Sequence, residues 1–165
     1  MRITFTLGGP ADAPSLAALR AEAARDLTRR FGEGHWSTEP TERGAVADLR
    51  HAEVWVARRG KRTVGTFRLA TRKPWAIDTD YFTACRRPIY LTNMAVHPEL
   101  QHRGIGRRCI EHAIERVRLW RGDAIRLDAY DAEAGAGGFY EKCGFREAGR
   151  VVYRLTPLVY YELVF

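Results

Sequence analysis

The run IYLTNMAV, residues 89–96, reads as one continuous apolar strand, and the polar segment that follows it, HPELQHRGIGRR, opens onto a stretch with helical period. A strand without apolar–polar alternation is covered on both faces, so it belongs inside a sheet with a layer on either side. Beyond it, residues 103–121 carry Ile105, Cys109, Ala113 and Val117 on one helical face, and Gly122 is expected to close that helix. A buried strand therefore hands over to an amphipathic helix through Gly104 and Gly106. That handover confines the chain to α/β architectures in which helices flank a sheet.

The other elements fit this frame. RITFTL alternates like a first strand. Residues 11–31 read as a helix, with Asp12 or Ser15 as cap and Pro14 in the first turn, and Thr41 caps a second, short helix. EVWVARR and TVGTFRLA form two strands about a turn at Gly60, and residues 71–88 form a long loop. AIRLDAY is a further strand. EAGAGGFYEKC is a short helix closed by Gly144, and GRVVYR and LVYYELVF are a last pair of strands. The predicted order is strand, two helices, three strands, helix, strand, helix, two strands, in a single domain spanning residues 1–165.

Apolar residues make up 45% and charged residues 28%, as in water-soluble globular chains. No apolar run approaches a membrane span and the start of the chain lacks a signal-peptide pattern, so no membrane partner and a cytoplasmic location are expected. Cys85, Cys109 and Cys143 are odd in number and widely spaced, which suits reduced thiols rather than a disulfide framework. The formal charge of +7 comes from arginines scattered along the chain, with no basic block. It fits solvated surfaces and attraction of a small anionic ligand better than nucleic-acid binding. Glu99 between His97 and His102 lacks ligand spacing and no Cys-x-x-Cys pair exists, so no metal is expected.

The segment QHRGIGRR carries chemistry of its own. A helix start exposes free N–H groups and a partial positive charge, and glycines let an anion approach them closely. Arg103, Arg107 and Arg108 add positive charge at the rim. The segment suits a phosphate or pyrophosphate, while a structural turn accounts for the two glycines equally well. Two other glycine loops fail on detail. A dinucleotide loop needs a third glycine where Cys109 stands, and the Gly-Lys-Ser/Thr of a nucleoside-triphosphate loop is absent.

LTNMAVHPELQHRGIGRRCIEHAI followed by GGFYEKCGF resembles the GNAT family of N-acetyltransferases, which use acetyl-coenzyme A. The family's Gln/Arg-x-x-Gly-x-Gly/Ala loop is matched by Gln101, Gly104 and Gly106, and Tyr140 stands at the catalytic tyrosine position. The resemblance is specific from about Leu91 to Phe145. It implies a mixed, mostly antiparallel sheet whose fourth and fifth strands form one parallel pair and splay apart near Met94, Ala95 and Val96. The pantetheine arm would lie in that gap, and the pyrophosphate would rest on the amides of His102, Arg103, Gly104, Ile105, Gly106 and Arg107. One departure is Glu133, where the family often has an asparagine that bonds the pantetheine arm.

The resemblance implies transfer of acetyl from acetyl-coenzyme A to a primary amine of a small molecule or protein by direct attack. Tyr140 would support the leaving thiolate. Full proton transfer from a phenol of pKa near 10 to a cysteine-like thiolate is uphill by about 2 kcal/mol, so a hydrogen bond that strengthens as charge develops is expected. No acid stands in IYLTNM where the family sometimes has a glutamate base. Tyr90, Thr92 and Asn93 are water-holding candidates, Glu33, His35, Asp78 and Asp80 are loop candidates for the base, and Trp36, Trp75 and Tyr81 are candidates for the acceptor pocket. Two other functions stay open at this level: a non-catalytic acyl-CoA sensor on the same fold, and a transferase acting on charged tRNA. A homodimer is compatible with all three.

Overall fold

The computed structural model describes residues 1–165. Strands and helices follow in the expected order: β1 (Thr4–Leu7), α1 (Ala13–Phe31), α2 (Glu42–His51), β2 (Glu53–Arg59), β3 (Arg62–Ala70), β4 (Pro88–Val96), α3 (Ile105–Leu119), β5 (Ala124–Tyr130), α4 (Gly137–Lys142), β6 (Arg146–Tyr153) and β7 (Thr156–Val164). All the strands join one sheet in the order β1-β2-β3-β4-β5-β7-β6. Every neighbouring pair is antiparallel except β4–β5.

The central strand is covered on both faces, as its lack of alternation requires. Ile89 and Leu91 pack in the larger core with Ile105, Cys109, Ala113 and Val117 of α3. Tyr90 points the other way, into a small cluster with Ile77, Phe82 and Tyr160 formed by the long 71–87 loop. On that same side, α1 and α2 pack Ala13, Leu16, Ala17 and Ala45 onto Val54 and Val56 of β2.

Two features bend β4 away from β5. Thr66 of β3 faces Ala95, yet Arg68 faces Thr92, so Phe67 alone opposes both Asn93 and Met94. This is a β-bulge, which kinks the strand and increases its twist. Asn93 takes a left-handed backbone at φ 53°, a conformation asparagine tolerates better than most residues. Its side-chain amide donates to Asp48 of α2 at 2.9 Å, which fixes the bulge from outside the sheet.

Local chemistry explains the start of α2, while the start of α1 and the end of α3 depart from it. The Thr41 hydroxyl accepts from the Gly44 amide at 3.1 Å and caps α2. Neither Asp12 nor Ser15 caps α1 by its side chain, contrary to expectation. Asp12 turns back to the Gly9 amide and to the Arg58 guanidinium, and the Ser15 hydroxyl donates to the Asp12 carbonyl. The end of α3 differs as well. The left-handed residue there is Arg121, at φ 57°, not Gly122. The Gly122 amide donates to the Val117 carbonyl at 2.9 Å. Glycine is required at 122 because a Cβ there would lie 2.6 Å from the Val117 side chain and 3.0 Å from that of Ile89. Gly122→Ala is therefore expected to destabilise the fold by about 1–3 kcal/mol through overpacking, measured by urea denaturation.

Candidate functional site

The parallel ladder between β4 and β5 is short. It runs through Pro88↔Ala124, Ile89↔Ile125 and Tyr90↔Arg126 and then stops. From Leu91 onward β4 keeps β3 as its only partner, while β5 pairs with β7 as far as Tyr130↔Leu158. The parting thus begins before Met94 and leaves a strand edge against which an extended, hydrogen-bonding chain can lie. Tyr140 of α4 reaches into the gap from one side and Met94 from the other, with Tyr140 Oη 3.8 Å from Met94 Sδ. The Tyr140 ring is buried among Phe139, Phe145 and Tyr161. Burial pushes its hydroxyl well above the ordinary phenol range, and the nearby Asp128 carboxylate adds to the shift. Tyr140 is therefore held protonated at neutral pH and donates a hydrogen bond far more readily than it gives up a proton.

At the mouth of the gap lies the glycine loop. His102 and Gly104 both adopt left-handed backbone, at φ 59° and 82°. Gly104 starts α3, and a Cβ there would meet nothing within 4 Å, so this side of the loop is open. The first helical bond runs from the Arg108 amide to the Gly104 carbonyl at 3.1 Å. The amides of Ile105, Gly106 and Arg107 precede it and have no intrahelical acceptor. His102, Arg103, Gly104 and Arg107 are exposed, whereas the Ile105 side chain is in the core, which leaves only its backbone for an anion. Gly106 lets the loop close on the Phe139 ring, 3.1 Å from where a Cβ would stand. Gln101 braces the loop by donating to the Val96 carbonyl at 3.3 Å. Open side, free amides and arginines together fit a diphosphate. Arg108 does not stand at this rim as expected: its guanidinium donates to the carbonyls of Met1 and Ile3.

On the α1 side, the gap opens into a cavity of about 400 Å³. Leu91, Thr92, Asn93, Met94 and Ala95 of β4 form one wall, and Asp128, Ala129 and Tyr130 of β5 form another. Arg20, Ala23, Ala24 and Leu27 of α1 face them, with Tyr140 at the junction with the gap. The segment between α1 and α2 forms the roof. The Tyr130 hydroxyl donates to the His35 carbonyl at 3.2 Å, the His35 ring lies 3.1 Å from the Thr156 hydroxyl, and Trp36 sets its ring edge-on to Tyr130.

Asp128 is the residue that sequence reasoning missed. It is half-buried and lines the same cavity as Tyr140. Burial raises its pKa, and neither a cation nor a hydrogen bond opposes the shift. One signal was legible. Arg126, Asp128 and Tyr130 alternate along a strand that pairs in parallel with an apolar neighbour, where apolar residues belong on both faces. The other candidates for the base fall elsewhere. Glu33 and Asp80 are exposed loop residues, and His35 sits in the roof. Tyr90 is buried and accepts from Arg126. Asp78 accepts from the Asp80 amide and, with Trp75 and Tyr81, lines a separate cavity of about 550 Å³ beside β6 and β7. Of the predicted pocket aromatics only Trp36 lines the cavity next to Tyr140. Glu133 is exposed in the turn before α4.

Comparison with known proteins converges on one family. The model of the acetyltransferase (GNAT) domain matches residues 50–147, more than half of the chain. The ribosomal protein bS18-alanine N-acetyltransferase of Salmonella typhimurium is 38% identical over 58 residues, which are 35% of this chain and 39% of that protein. The uncharacterized N-acetyltransferase YvbK of Bacillus subtilis is 26% identical over 98 residues, 59% of this chain and 56% of that protein. The matches thus span about two fifths to just over half of these relatives' lengths. Among solved structures, the ribosomal-protein-S18-alanine N-acetyltransferase of Escherichia coli superposes with a TM-score of 0.73 at 16% identity, over 99% of this chain and 94% of that one. The Salmonella typhimurium protein yncA, solved with its cofactor acetyl-CoA, superposes with a TM-score of 0.71 at 15% identity, over 99% and 94%.

The raised pKa of Asp128 has a thermodynamic consequence. Its ionised form is disfavoured in the folded chain relative to the unfolded one. The stabilising contribution of the protonated carboxyl is complete below the unfolded value of about 3.9 and is lost as pH rises through the higher native value. Asp128→Asn is therefore expected to raise the melting temperature above that of the wild type at about pH 8, with the difference vanishing near pH 3–4. Thermal melts across this range check it.

Proposed function

The chain belongs to the GNAT acetyltransferase family, and on that footing we propose that it is an N-acetyltransferase that moves acetyl from acetyl-coenzyme A directly to a primary amine. The observation that carries the proposal is the convergence of three groups on one opening. The bulged backbone at Met94, the protonated Tyr140 hydroxyl and the unpartnered Asp128 carboxylate all border the cavity beside the parted strands.

Acetyl-coenzyme A supplies an activated thioester. The amides of residues 102–107, with Arg103 and Arg107, hold its pyrophosphate by charge-assisted hydrogen bonds of about 1.5–3 kcal/mol each. The β4 edge from Leu91 to Val96 takes the extended arm as a further strand would be taken. An amide near Met94 polarises the thioester carbonyl, as an oxyanion hole does.

Asp128 draws the acceptor's ammonium into the cavity and takes its proton. A free alkylammonium has a pKa near 10.4, so removal of its proton before attack is steeply uphill. The nitrogen becomes more acidic as its bond to the acetyl carbon forms, and a carboxylate of raised pKa is then a competent acceptor. As the carbon–sulfur bond breaks, Tyr140 donates its hydrogen bond to the departing sulfur. Its elevated pKa makes complete transfer costlier than the unperturbed phenol would suggest, so stabilisation by a strengthening hydrogen bond dominates.

The test is kinetic. Tyr140→Phe keeps the packing of the ring and removes the hydroxyl. It is expected to lower the single-turnover rate by about 10²–10⁴-fold while acetyl-CoA affinity barely changes. Asp128→Asn is expected to erase the acidic limb of the kcat/KM profile, whose midpoint in the wild type lies above the ordinary aspartate range. Near wild-type single-turnover rates in both variants would remove both groups from the mechanism. Tight acetyl-CoA binding without turnover across a broad amine screen would instead identify an acyl-CoA sensor.

A further inference from the structure

We propose that the acceptor is a free α-amino acid with an apolar side chain, and that Arg20 holds its carboxylate. This rests on the transferase reading and names the substrate class for the same cavity.

The cavity that holds Asp128 borders a cluster with an excess of positive charge: Arg20 lines both that cavity and a separate small crevice that Asp48 and Arg68 also line. Arg20 lines the Asp128 cavity from α1. Its Nη1 donates to Asp48 Oδ2 at 3.0 Å, and the Arg68 guanidinium lies 3.8 Å from the other oxygen of the same carboxylate. One carboxylate therefore serves two guanidinium groups, which leaves one uncompensated positive charge. The three side chains are only 21%, 19% and 30% exposed, so solvent screens that charge incompletely. Of the five N–H donors of Arg20, only one on Nη1 is engaged within the protein. The rest are available to a carboxylate, the anion whose two oxygens match the guanidinium fork.

The position suits an amino acid rather than a larger anion. Asp48 Oδ2 accepts from Arg20 and also, at 2.9 Å, from the side-chain amide of Asn93. Arg20 thus shares an acceptor atom with the residue that precedes Met94, and the cation stands beside the bulge that borders the acetyl position. Asp128 provides the opposite charge within the same 400 Å³. A zwitterion satisfies both, with its ammonium toward Asp128 and its carboxylate toward Arg20. Ala23, Ala24, Leu27, Trp36 and Ala129 make up an apolar remainder that suits a hydrocarbon or aromatic side chain. A plain alkylamine leaves the excess charge without a counterion. So does the N-terminus of a polypeptide, where a neutral amide replaces the carboxylate.

The test compares leucine with leucinamide, 3-methylbutylamine and the dipeptide Leu-Gly as acceptors. It also measures binding of N-acetylleucine and N-acetylleucinamide to the CoA-saturated protein by calorimetry. Leucine is expected to exceed leucinamide and the amine in kcat/KM by about 10–100-fold, chiefly through KM. N-acetylleucine is expected to bind more tightly than its amide by a similar factor. Arg20→Met should collapse both ratios toward one, and Arg20→Lys, which keeps the charge but loses the fork, should retain part of each. Far-UV dichroism verifies that the variants fold. Turnover of amines with leucinamide or Leu-Gly equal to or better than leucine would overturn the proposal, leave the transferase reading standing, and point to a polypeptide N-terminus. Arg20-dependent binding of N-acetylleucine without turnover of any amine would uphold the carboxylate site and overturn the transferase reading. Absence of both would overturn the two together.

Discussion

Everything at the site depends on a parallel ladder that stops after its third residue pair. A parallel β4–β5 pairing extended to the ends of both strands would fill the space with backbone hydrogen bonds and leave no gap. The bulge at Asn93 and Met94 prevents this by turning β4 while it stays bonded to β3. The left-handed backbone of Asn93 permits the bulge, and the bond to Asp48 holds it. Asn93 is thus a structural pivot shared by the sheet, by α2 and by the charge cluster that includes Arg20. The gap it opens is lined on one side by a strand edge and on the other by Tyr140, whose buried ring is fixed by three aromatic neighbours.

The electrostatics of the opening follow from unequal solvation. The glycine loop is exposed, so its arginines and free amides meet water and attract an anion without a large desolvation penalty. Asp128 and Tyr140 lie deeper, and burial shifts both toward their neutral forms. One shift makes the carboxylate a better base and the other keeps the phenol a reliable donor. In the proposed mechanism, accepting the ammonium proton and donating a hydrogen bond to the departing sulfur thereby fall to two groups in one cavity that the same physical cause has shifted.

The sequence showed clearly what local rules control. The lack of alternation in β4 required burial on both faces, and the helical spacing of Ile105, Cys109, Ala113 and Val117 chose the packed face of α3. Thr41, Gly60 and Gly144 stand where capping and left-handed turns need them. What sequence hid was tertiary. Arg108 and Arg107 are adjacent in the same helix turn, yet Arg108 is tied to the carbonyls of Met1 and Ile3 just ahead of β1, while Arg107 is exposed and donates to the Lys142 carbonyl at the end of α4. Asp12 was a plausible cap until the Arg58 guanidinium, far away in sequence, gave it a better partner. Trp75 and Tyr81 read as pocket residues, but their loop folds over β7 beside another cavity. Asp128 and Arg20 come to line one cavity only because α1 packs against β3 and β4.

The central claim is that the parted strands hold the thioester arm, with the sulfur between Met94 and Tyr140. A crystal structure of the complex with coenzyme A tests it most directly. The account predicts an arm hydrogen-bonded along Leu91–Val96, a pyrophosphate on the amides of residues 102–107, and a sulfur within hydrogen-bond reach of Tyr140 Oη. Coenzyme A seated in the other cavity, beside Trp75 and Tyr81, or a β4–β5 ladder zipped shut beneath it, would contradict the account.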